Sequence, residues 1–214
     1  ACVDEVDEQG RLAGCVNTVT RRDHRLLGSL TDGAGVLRAF EAHGVELSGK
    51  RILFLGSGGA VRAAAFALAT RARPAGLTIA GRTQERVDTL VEDITKATQI
   101  PVRAALLPED LNRVVPEHEI VIHGTPVGMY GNSPDESVVP WRLLQPGQVV
   151  FDMVYRPKWT RLLRDAQSLD CTVLHGLEML LYQAVLQFET WTGIPAPVDV
   201  MREVLEQKLG QDHY

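Results

Sequence analysis

The middle of the chain alternates short apolar runs, rich in Val, Ile and Leu, with longer segments of helical periodicity. Parallel strands need a long crossover connection, which a helix usually provides, so this alternation predicts a parallel sheet covered by helices on both faces. The predicted strands are Arg51–Gly56, Leu77–Gly81, Val102–Leu106, Glu119–His123, Val149–Val154 and Cys171–Leu174. The predicted helical segments are Ala60–Arg71, Gln84–Thr98, a short turn near Glu109–Val114, and Thr160–Ser168. We therefore expect an α/β protein with a doubly wound, six-stranded parallel sheet of the Rossmann type.

The two ends of the chain have a different pattern. Before the predicted sheet, Cys15–Arg21 and Arg25–Ser29 are typical of short strands, and Gly33–His43 of a helix. After it, one helix carries an apolar stripe and Val198–Leu209 predicts a last helix. The stripe consists of Leu177, Leu180, Leu181, Ala184, Phe188 and Trp191. In the last helix the residues predicted to face inward are Val200, Met201, Val204 and Leu205.

Composition and charge exclude several classes of function. The chain has 22 basic and 27 acidic residues, interspersed, for a net charge of −5, which argues against nucleic acid or an anionic membrane as the partner. Cys2, Cys15 and Cys171 show no metal-ligand spacing, so we expect neither a disulfide framework nor a metal site, and a reducing cytoplasm. No uncharged apolar window reaches about 18 residues, which excludes a membrane-spanning helix. We expect a small-molecule partner, and the sequence leaves open whether two chains pair as a homodimer.

A glycine-rich segment, GSGGA at residues 56–60, follows the first strand of the predicted sheet directly and leads into a helix of small residues. A dinucleotide pyrophosphate needs a tight turn, a backbone without bulky side chains and the unpaired N–H groups of a helix N-terminus. Val61 stands at the last glycine position of the GxGxxG pattern, but the strand, turn and helix context favours nucleotide binding over a purely structural turn. The predicted contacts are Gly56, Ser57, Gly58, Gly59 and Ala60.

The second strand of the predicted sheet ends in GRTQER, residues 81–86. A site that prefers NAD usually has Asp or Glu here for the ribose 2′-hydroxyl, whereas Arg accommodates the 2′-phosphate of NADP. This segment has no acid at that place and carries Arg82 and Arg86, with Thr83 as a further donor. Because guanidinium groups bind phosphate through two hydrogen bonds, the segment predicts NADP as the cofactor.

Seven segments in order resemble the shikimate dehydrogenase family across essentially the whole chain. They are GCVNTV at 14–19, GSLTDGAG at 28–35, GSGGAVRAA at 56–64, GRTQER at 81–86, HGTPVGM at 123–129, FDMVYRPKWTRLL at 151–163 and GLEMLLYQAVLQFETWTG at 176–193. The resemblance implies an NADP-dependent oxidoreductase of two domains that reversibly reduces 3-dehydroshikimate to shikimate in aromatic amino-acid biosynthesis. Related members use quinate.

The resemblance also implies roles for single residues. Asn17, Tyr155 and Gln183 match positions that bind the substrate. Asp32 matches the catalytic Asp, which also touches substrate and pairs with a Lys to handle the proton that accompanies hydride transfer. Read without the family, Asn17 would be a turn residue, Asp32 part of a helix start and Gln183 an exposed helical residue.

Two further residues and the domain division also follow from the resemblance. Met153 and Gly176 match positions on the nicotinamide side of the cofactor. Residues 1–45 then correspond to the later part of a substrate domain and its linking helix, 46–175 to the NADP-binding domain, and 176–214 to helices that return to the substrate domain. We thus expect the two chain ends to form an incomplete α/β substrate domain.

Several residues depart from the family pattern. The family's catalytic Lys would fall just before Ala1, and none of the lysines at 50, 96, 158 and 208 replaces it. The acidic opening, ACVDEVDEQG, is unlike a secretory signal and is typical of a helix already under way. We therefore expect the family's N-terminal segment to lie outside this sequence. The other departures are Leu30, His123–Gly124, Arg161 and Glu178. Without the Lys, we do not expect these 214 residues alone to be active. The alternatives are a quinate/shikimate dehydrogenase and, if the Lys segment is truly absent from the protein, a non-catalytic NADP-binding relative.

Overall fold

The computed structural model describes residues 2–210. Its strands are β1 (Glu5–Val6), β2 (Thr18–Arg22), β3 (Arg25–Ser29), β4 (Arg51–Leu55), β5 (Gly76–Gly81), β6 (Val102–Leu106), β7 (Ile120–His123), β8 (Val149–Asp152) and β9 (Thr172–His175). Its helices are α1 (Glu8–Ala13), α2 (Asp32–Ala42), α3 (Gly59–Arg71), α4 (Gln84–Ala97), α5 (Leu111–Val114), α6 (Arg161–Ser168), α7 (Gly176–Thr192) and α8 (Val198–Gly210), with a 3₁₀ turn at Trp141–Leu143.

Strands β4 to β9 form one parallel sheet in the order β6-β5-β4-β7-β8-β9. The predicted six-stranded, doubly wound fold is confirmed, and the strand bounds differ from the predicted ones by no more than two residues. The chain order reverses beside β4, whose neighbours are β5 on one side and β7 on the other. In open sheets of this type, ligands bind at such a reversal, outside the carboxyl ends of the strands.

Helix α2 joins the first part of the chain to the large sheet. Its Val36 and Phe40 belong to the same buried cluster as Ile52 and Phe54 of β4. The ring of Phe40 lies edge-on to that of Phe151, with centroids 5.5 Å apart. The hydrophobic core therefore continues across the predicted boundary between residues 45 and 46. The division into 1–45, 46–175 and 176–214 stays a prediction, and residues 1 and 211–214 lie outside the described chain.

The start of the chain differs from the predicted acidic helix. Strand β1 pairs in parallel with β3, which also pairs with β2 to form a small mixed sheet. Helix α1 begins only after Asp7, whose carboxylate accepts a hydrogen bond from the Gly10 amide over 2.7 Å. A capping carboxylate offers the first helical N–H groups a partner, so it places the helix start there.

The apolar stripes of the last two helices are only partly buried. Leu177 and Leu181 of α7 are buried, but Trp191 is 58% exposed and its indole Nε1 donates to the backbone oxygen of Val19 over 3.2 Å. The inward orientation predicted for Val200 and Val204 is wrong, because both are at least half exposed. Helix α8 packs on α7 along one narrow side, where Met201 and Leu205 are half-buried.

Across the described chain, residues 2–210, no helix combines the length and apolar character that crossing a membrane requires. The same residues contain no cluster of His, Cys, Asp and Glu placed to hold a metal ion.

Candidate active site

A cavity of about 440 Å³ opens at the strand-order reversal, over the carboxyl ends of β4, β5 and β7. Gly56 and Gly124, which follow β4 and β7, form its floor and lie against each other. A Cβ atom on Gly56 would come within 3.0 Å of the Gly124 oxygen, and Gly56 has a φ of +119°. Only glycine adopts this backbone without strain, so Gly56 makes the tight turn that the sequence predicts.

The next two glycines have open space above them. A Cβ atom built on Gly58 or Gly59 would meet no protein atom within 4 Å. Helix α3 begins here, and Gly58 as its N-cap offers no side chain to the first N–H groups. These N–H groups and the positive end of the helix dipole therefore suit an anion that approaches the bare backbone. A bound pyrophosphate would occupy the open space above these glycines. Ser57 lines the same cavity.

Three residues after β5 line the far side of this cavity, namely Arg82, Thr83 and Arg86. All three are exposed, and neither guanidinium pairs with a carboxylate in the described part of the chain. Cations near a helix N-terminus oppose the helix dipole, so α4 gains no stability from Arg86 in its first turn. Their charge and position suit a 2′-phosphate, and the cavity therefore fits NADP on both its pyrophosphate and its ribose side.

A second cavity, of about 590 Å³, shares Gly58, Gly124 and Thr125 with the first and extends toward β8. Met153 and Tyr155 line it, and Ala60 lies at its α3 side. A Cβ atom on Gly176 would come within 2.5 Å of the backbone oxygens of Met153 and Val154. Gly176 therefore acts through close backbone packing that lets α7 start directly behind this cavity.

Asn17 and Asp32 form a hydrogen-bonded pair. Asn17 Nδ2 donates to Asp32 Oδ1 over 2.7 Å, and Asn17 Oδ1 accepts from the Thr31 amide over 3.0 Å. Burial raises the pKa of Asp32 above its ordinary value, and the hydrogen bond from Asn17 opposes part of this rise. None of the lysines in residues 2–210 contacts Asp32, since Lys96 pairs with Glu92 and Lys158 with Glu206.

Gln183 lies on α7, which packs against α2. A Cβ atom on Gly35 would come within 2.9 Å of the Gln183 backbone nitrogen, so the two helices touch one turn beyond Asp32. The side chain of Gln183 donates to the Leu180 oxygen over 3.1 Å and makes no direct contact with Asn17 or Asp32 among the described residues. The structure brings Asn17 to Asp32 and places Met153 and Tyr155 in the lining of one cavity, while Gln183 lies on a neighbouring helix.

The fold assembles a group of polar residues at the carboxyl end of β7, of which the sequence indicated only His123, as a departure from the family pattern. His123 contacts Asp152 and Thr125, and Thr125 lines both cavities. The signal was present in the sequence, because His123 ends a strand that leads to the ligand-binding edge of the sheet. Its two partners are distant in sequence or lie in a loop, so only the fold identifies them.

Comparison with known proteins gives matches that include the residues of the two cavities and of helix α7. The family described as "Shikimate / quinate 5-dehydrogenase" matches residues 38–130, and "Shikimate 5'-dehydrogenase C-terminal domain" matches residues 176–206. The shikimate dehydrogenase (NADP(+)) of Moorella thermoacetica is 41% identical over 209 residues, which are 97% of this chain and 70% of that protein.

Two solved structures share the fold. Shikimate 5-dehydrogenase from Listeria monocytogenes, in complex with shikimate and NAD, has a TM-score of 0.89 and 33% identity, covering 95% of this chain and 72% of that one. Quinate dehydrogenase from Corynebacterium glutamicum, in complex with NAD, has a TM-score of 0.88 and 30% identity, covering 96% of this chain and 72% of that one. The cofactor cleft, the two family matches and these similarities together identify the chain as a member of the shikimate/quinate dehydrogenase family.

Proposed function

We propose that this chain is an NADP-dependent shikimate dehydrogenase, which reversibly reduces 3-dehydroshikimate to shikimate. The observation that carries the proposal is the cleft at the strand-order reversal, with an uncapped glycine turn at one side and Arg82 and Arg86 at the other. The 41% identity to a shikimate dehydrogenase (NADP(+)) over 97% of the chain supports both the activity and the cofactor.

The cofactor would be held by backbone and side chains with separate tasks. Gly56 makes the turn, and its own N–H donates to the Ala80 oxygen. The N–H groups at the start of α3, from Gly58 to Ala60, face the pyrophosphate, with Ser57 beside them. Arg82, Thr83 and Arg86 bind the 2′-phosphate. Met153 borders the nicotinamide half, and Gly176 packs behind it against the backbone oxygens of Met153 and Val154. When bound, NADPH supplies the hydride.

The substrate side needs a group that handles the proton. Reduction of a ketone leaves negative charge on its oxygen, so an acid must deliver a proton as that charge develops. We assign Asp32 to this step, as the carboxylate that orients the family's catalytic Lys, with Asn17 holding Oδ1 in place. Asn17, Tyr155 and Gln183 then contact the substrate hydroxyls, because buried polar groups left unpaired by a wrong substrate would cost affinity.

The proposal also covers the cellular compartment and the partners of the enzyme. We place it in the cytoplasm, where its free cysteines, Cys2, Cys15 and Cys171, would stay reduced. Small molecules, rather than nucleic acid or a membrane, are its proposed partners, and a homodimer is compatible with this role.

Two measurements test the proposal, both on the protein purified from its complete gene, so that any Lys encoded before Ala1 is present. NADPH fluorescence measures cofactor binding, and absorbance at the NADPH band measures reduction of NADP⁺ or NAD⁺ by shikimate or quinate. We expect NADPH to bind more tightly than NADH, and shikimate to be oxidised with a higher kcat/KM than quinate. A higher kcat/KM for quinate would replace the proposed substrate, and NADPH binding without turnover would favour the non-catalytic relative.

A further inference from the structure

A buried polar chain lies directly beneath the junction of the two cavities. His123, at the end of β7, is 1% exposed, and its Nδ1 lies 2.9 Å from Asp152 Oδ1. Its Nε2 lies 2.5 Å from the hydroxyl oxygen of Thr125. Thr125 borders both cavities, beside Gly58 and Gly124. The imidazole ring therefore connects a fully buried carboxylate to a hydroxyl group at the cofactor cleft.

The partners of Asp152 determine which ring nitrogen carries a proton. Asp152 Oδ1 also accepts from the Val154 amide over 2.9 Å, and Oδ2 accepts from the Thr160 hydroxyl over 2.6 Å. The Thr160 oxygen accepts in turn from the Leu163 amide, so its proton points to Asp152. Because the Val154 amide and the Thr160 hydroxyl both donate to this carboxylate, we assign Asp152 as an acceptor and place a hydrogen on His123 Nδ1.

The second ring nitrogen sets the direction of the Thr125 hydroxyl. When His123 is neutral, Nε2 is an acceptor and takes the hydroxyl proton of Thr125. When His123 is protonated, Nε2–H donates to the Thr125 oxygen, which also accepts from the Val127 amide over 3.3 Å. The hydroxyl proton is then free to point into the cleft. Phosphate oxygens are acceptors, so a protonated ring leaves the Thr125 proton for a phosphate. With a neutral ring, the same donation would leave the buried Nε2 without a partner.

We propose that His123 is a positioning residue that turns the Thr125 hydroxyl toward a phosphate group of the cofactor and takes up a proton when the cofactor binds. The inference rests on the proposed NADP cofactor and concerns its phosphates alone. It gives a task to a buried His and Asp that the assignment of Asp32, Asn17 and Gln183 leaves unused.

The surroundings of the ring favour such coupling. Its neighbour in register on β4 is the apolar Leu55, and Asp152 on β8 is the charged group in contact with it. From α6 come Leu163 and, at the cap, Thr160. In the two cavities above, the charged side chains are those of Arg82, Arg86 and Glu136 in the first and of Arg156 in the second. A bound phosphate adds negative charge near a ring that is buried, where electrostatic interactions are screened less than in water.

The chain contains a matched pair for control. His118 Nε2 lies 2.8 Å from the Thr78 hydroxyl, and its Nδ1 lies near the Val114 oxygen, all within the buried sheet. Neither His118 nor Thr78 lines a described cavity. Thr78→Val therefore removes a buried His–Thr hydrogen bond without touching the cleft.

The experiment is calorimetric titration of the full chain with NADPH at pH 8 in two buffers of different ionisation enthalpy, which counts protons taken up on binding. The variants are His123→Asn, whose amide can still reach Asp152 but not Thr125, then Thr125→Val, Thr125→Ser and Thr78→Val. We expect His123→Asn to take up fewer protons than wild type. Thr125→Val should bind NADPH about tenfold more weakly, since it loses a hydrogen bond to a charged group, and Thr125→Ser should bind normally.

The outcomes separate this inference from the proposed function. Equal proton uptake by wild type and His123→Asn, with NADPH still bound, overturns the role of His123 and leaves the cofactor assignment intact. Equal losses of affinity in Thr125→Val and Thr78→Val overturn it as well, because the effect would then be one of stability. Failure of the wild-type protein to bind NADPH overturns both.

Discussion

The side-chain amide of Asn17 donates to Oδ1 of Asp32 over 2.7 Å and so joins the turn before β2 to the first turn of α2. Asn17 is itself held in place, because its Oδ1 accepts from the Thr18 hydroxyl and from both the amide and the hydroxyl of Thr31. The carboxylate of Asp32 is thus oriented by the protein alone. Such preorganisation lowers the cost of placing a catalytic group when substrate binds.

Asp32→Asn should stabilise the fold and abolish catalysis. Burial raises the pKa of Asp32, so its charged form is disfavoured in the folded chain. The neutral amide keeps an oxygen for Asn17, and we expect a higher Tm than wild type at pH 7. The gain should vanish below the ordinary Asp pKa of 3.8, where the carboxyl is neutral in both states. Turnover should fall by about 10² to 10⁴-fold.

Thermal unfolding at pH 7 and pH 3 checks this prediction. Asp135→Asn is the control, because that side chain is 95% exposed and its change should leave Tm unaltered. A lower Tm for Asp32→Asn at pH 7 would mean that the charge interacts favourably with the start of α2.

Gly58→Ala should weaken NADPH binding, whereas Gly56→Ala should destabilise the fold. Alanine at Gly58 meets no protein atom and needs no unusual φ, so the free energy of unfolding should stay within about 0.5 kcal/mol. Its methyl group would occupy the space of the pyrophosphate and weaken NADPH binding. Alanine at Gly56 requires a φ of +119°, which should cost about 1–3 kcal/mol of stability. Denaturant unfolding and NADPH fluorescence measure the two effects, and unchanged NADPH affinity in a stable Gly58→Ala would contradict the assignment of the turn.

Arg82→Ala and Arg86→Ala should each reduce selectivity for NADP. Each guanidinium would form charge-assisted hydrogen bonds to the 2′-phosphate, worth about 1.5–3 kcal/mol, or roughly 10- to 100-fold in affinity. NADH lacks this phosphate, so its affinity should not change. Arg103→Ala is the control, because Arg103 is exposed on β6 and does not line the cavity. Parallel losses for NADPH and NADH would instead assign the arginines to another part of the cofactor.

Glu119→Gln should reduce stability at neutral pH and have no effect at strongly acidic pH. Glu119 accepts hydrogen bonds from the side chain and backbone nitrogens of Arg51, which lower its pKa to about 2 from 4.5. The stabilisation is therefore present above pH 4.5 and lost as pH falls toward 2. Because both side chains are largely exposed, solvent limits it to about 1 kcal/mol or less.

Denaturant unfolding from pH 7 to pH 2 measures this difference. Wild type and Glu119→Gln should converge at the acid end. Glu92→Gln serves for comparison, since its i,i+4 pair with Lys96 is more exposed and should contribute less. A constant difference at all pH values would assign the loss to packing.

Phe40→Ala should destabilise the whole described chain. Phe40 is fully buried, and its ring lies against Phe151 of the large sheet. Removing a buried aromatic ring costs about 3–5 kcal/mol. Because the core continues from α2 into β4, we expect a single unfolding transition at lower denaturant concentration. Two separate transitions would show that residues 1–45 unfold independently of the sheet.

The local pattern of the chain predicted the large sheet well. Each strand and helix between Arg51 and His175 has a periodic signal of its own, and the glycine turn at residues 56–60 is defined by adjacent residues. The pattern predicted the wrong orientation for Val200 and Val204, because a helix with apolar residues on two sides can pack through either side. It also missed β1, since two residues carry too little periodicity to indicate a strand.

The sequence by itself determined the order of strands and helices along the chain, the glycine-rich turn and the basic segment that favours NADP, because each depends on residues close together in the chain. Tertiary structure alone decided that Asn17 would hold Asp32, that Gly56 would lie against Gly124, and that His123 would join Asp152 to Thr125. These contacts connect residues from different elements, and their distances depend on how strands align and helices pack. Local periodicity encodes which face of an element is apolar, but it does not encode which other element that face will meet.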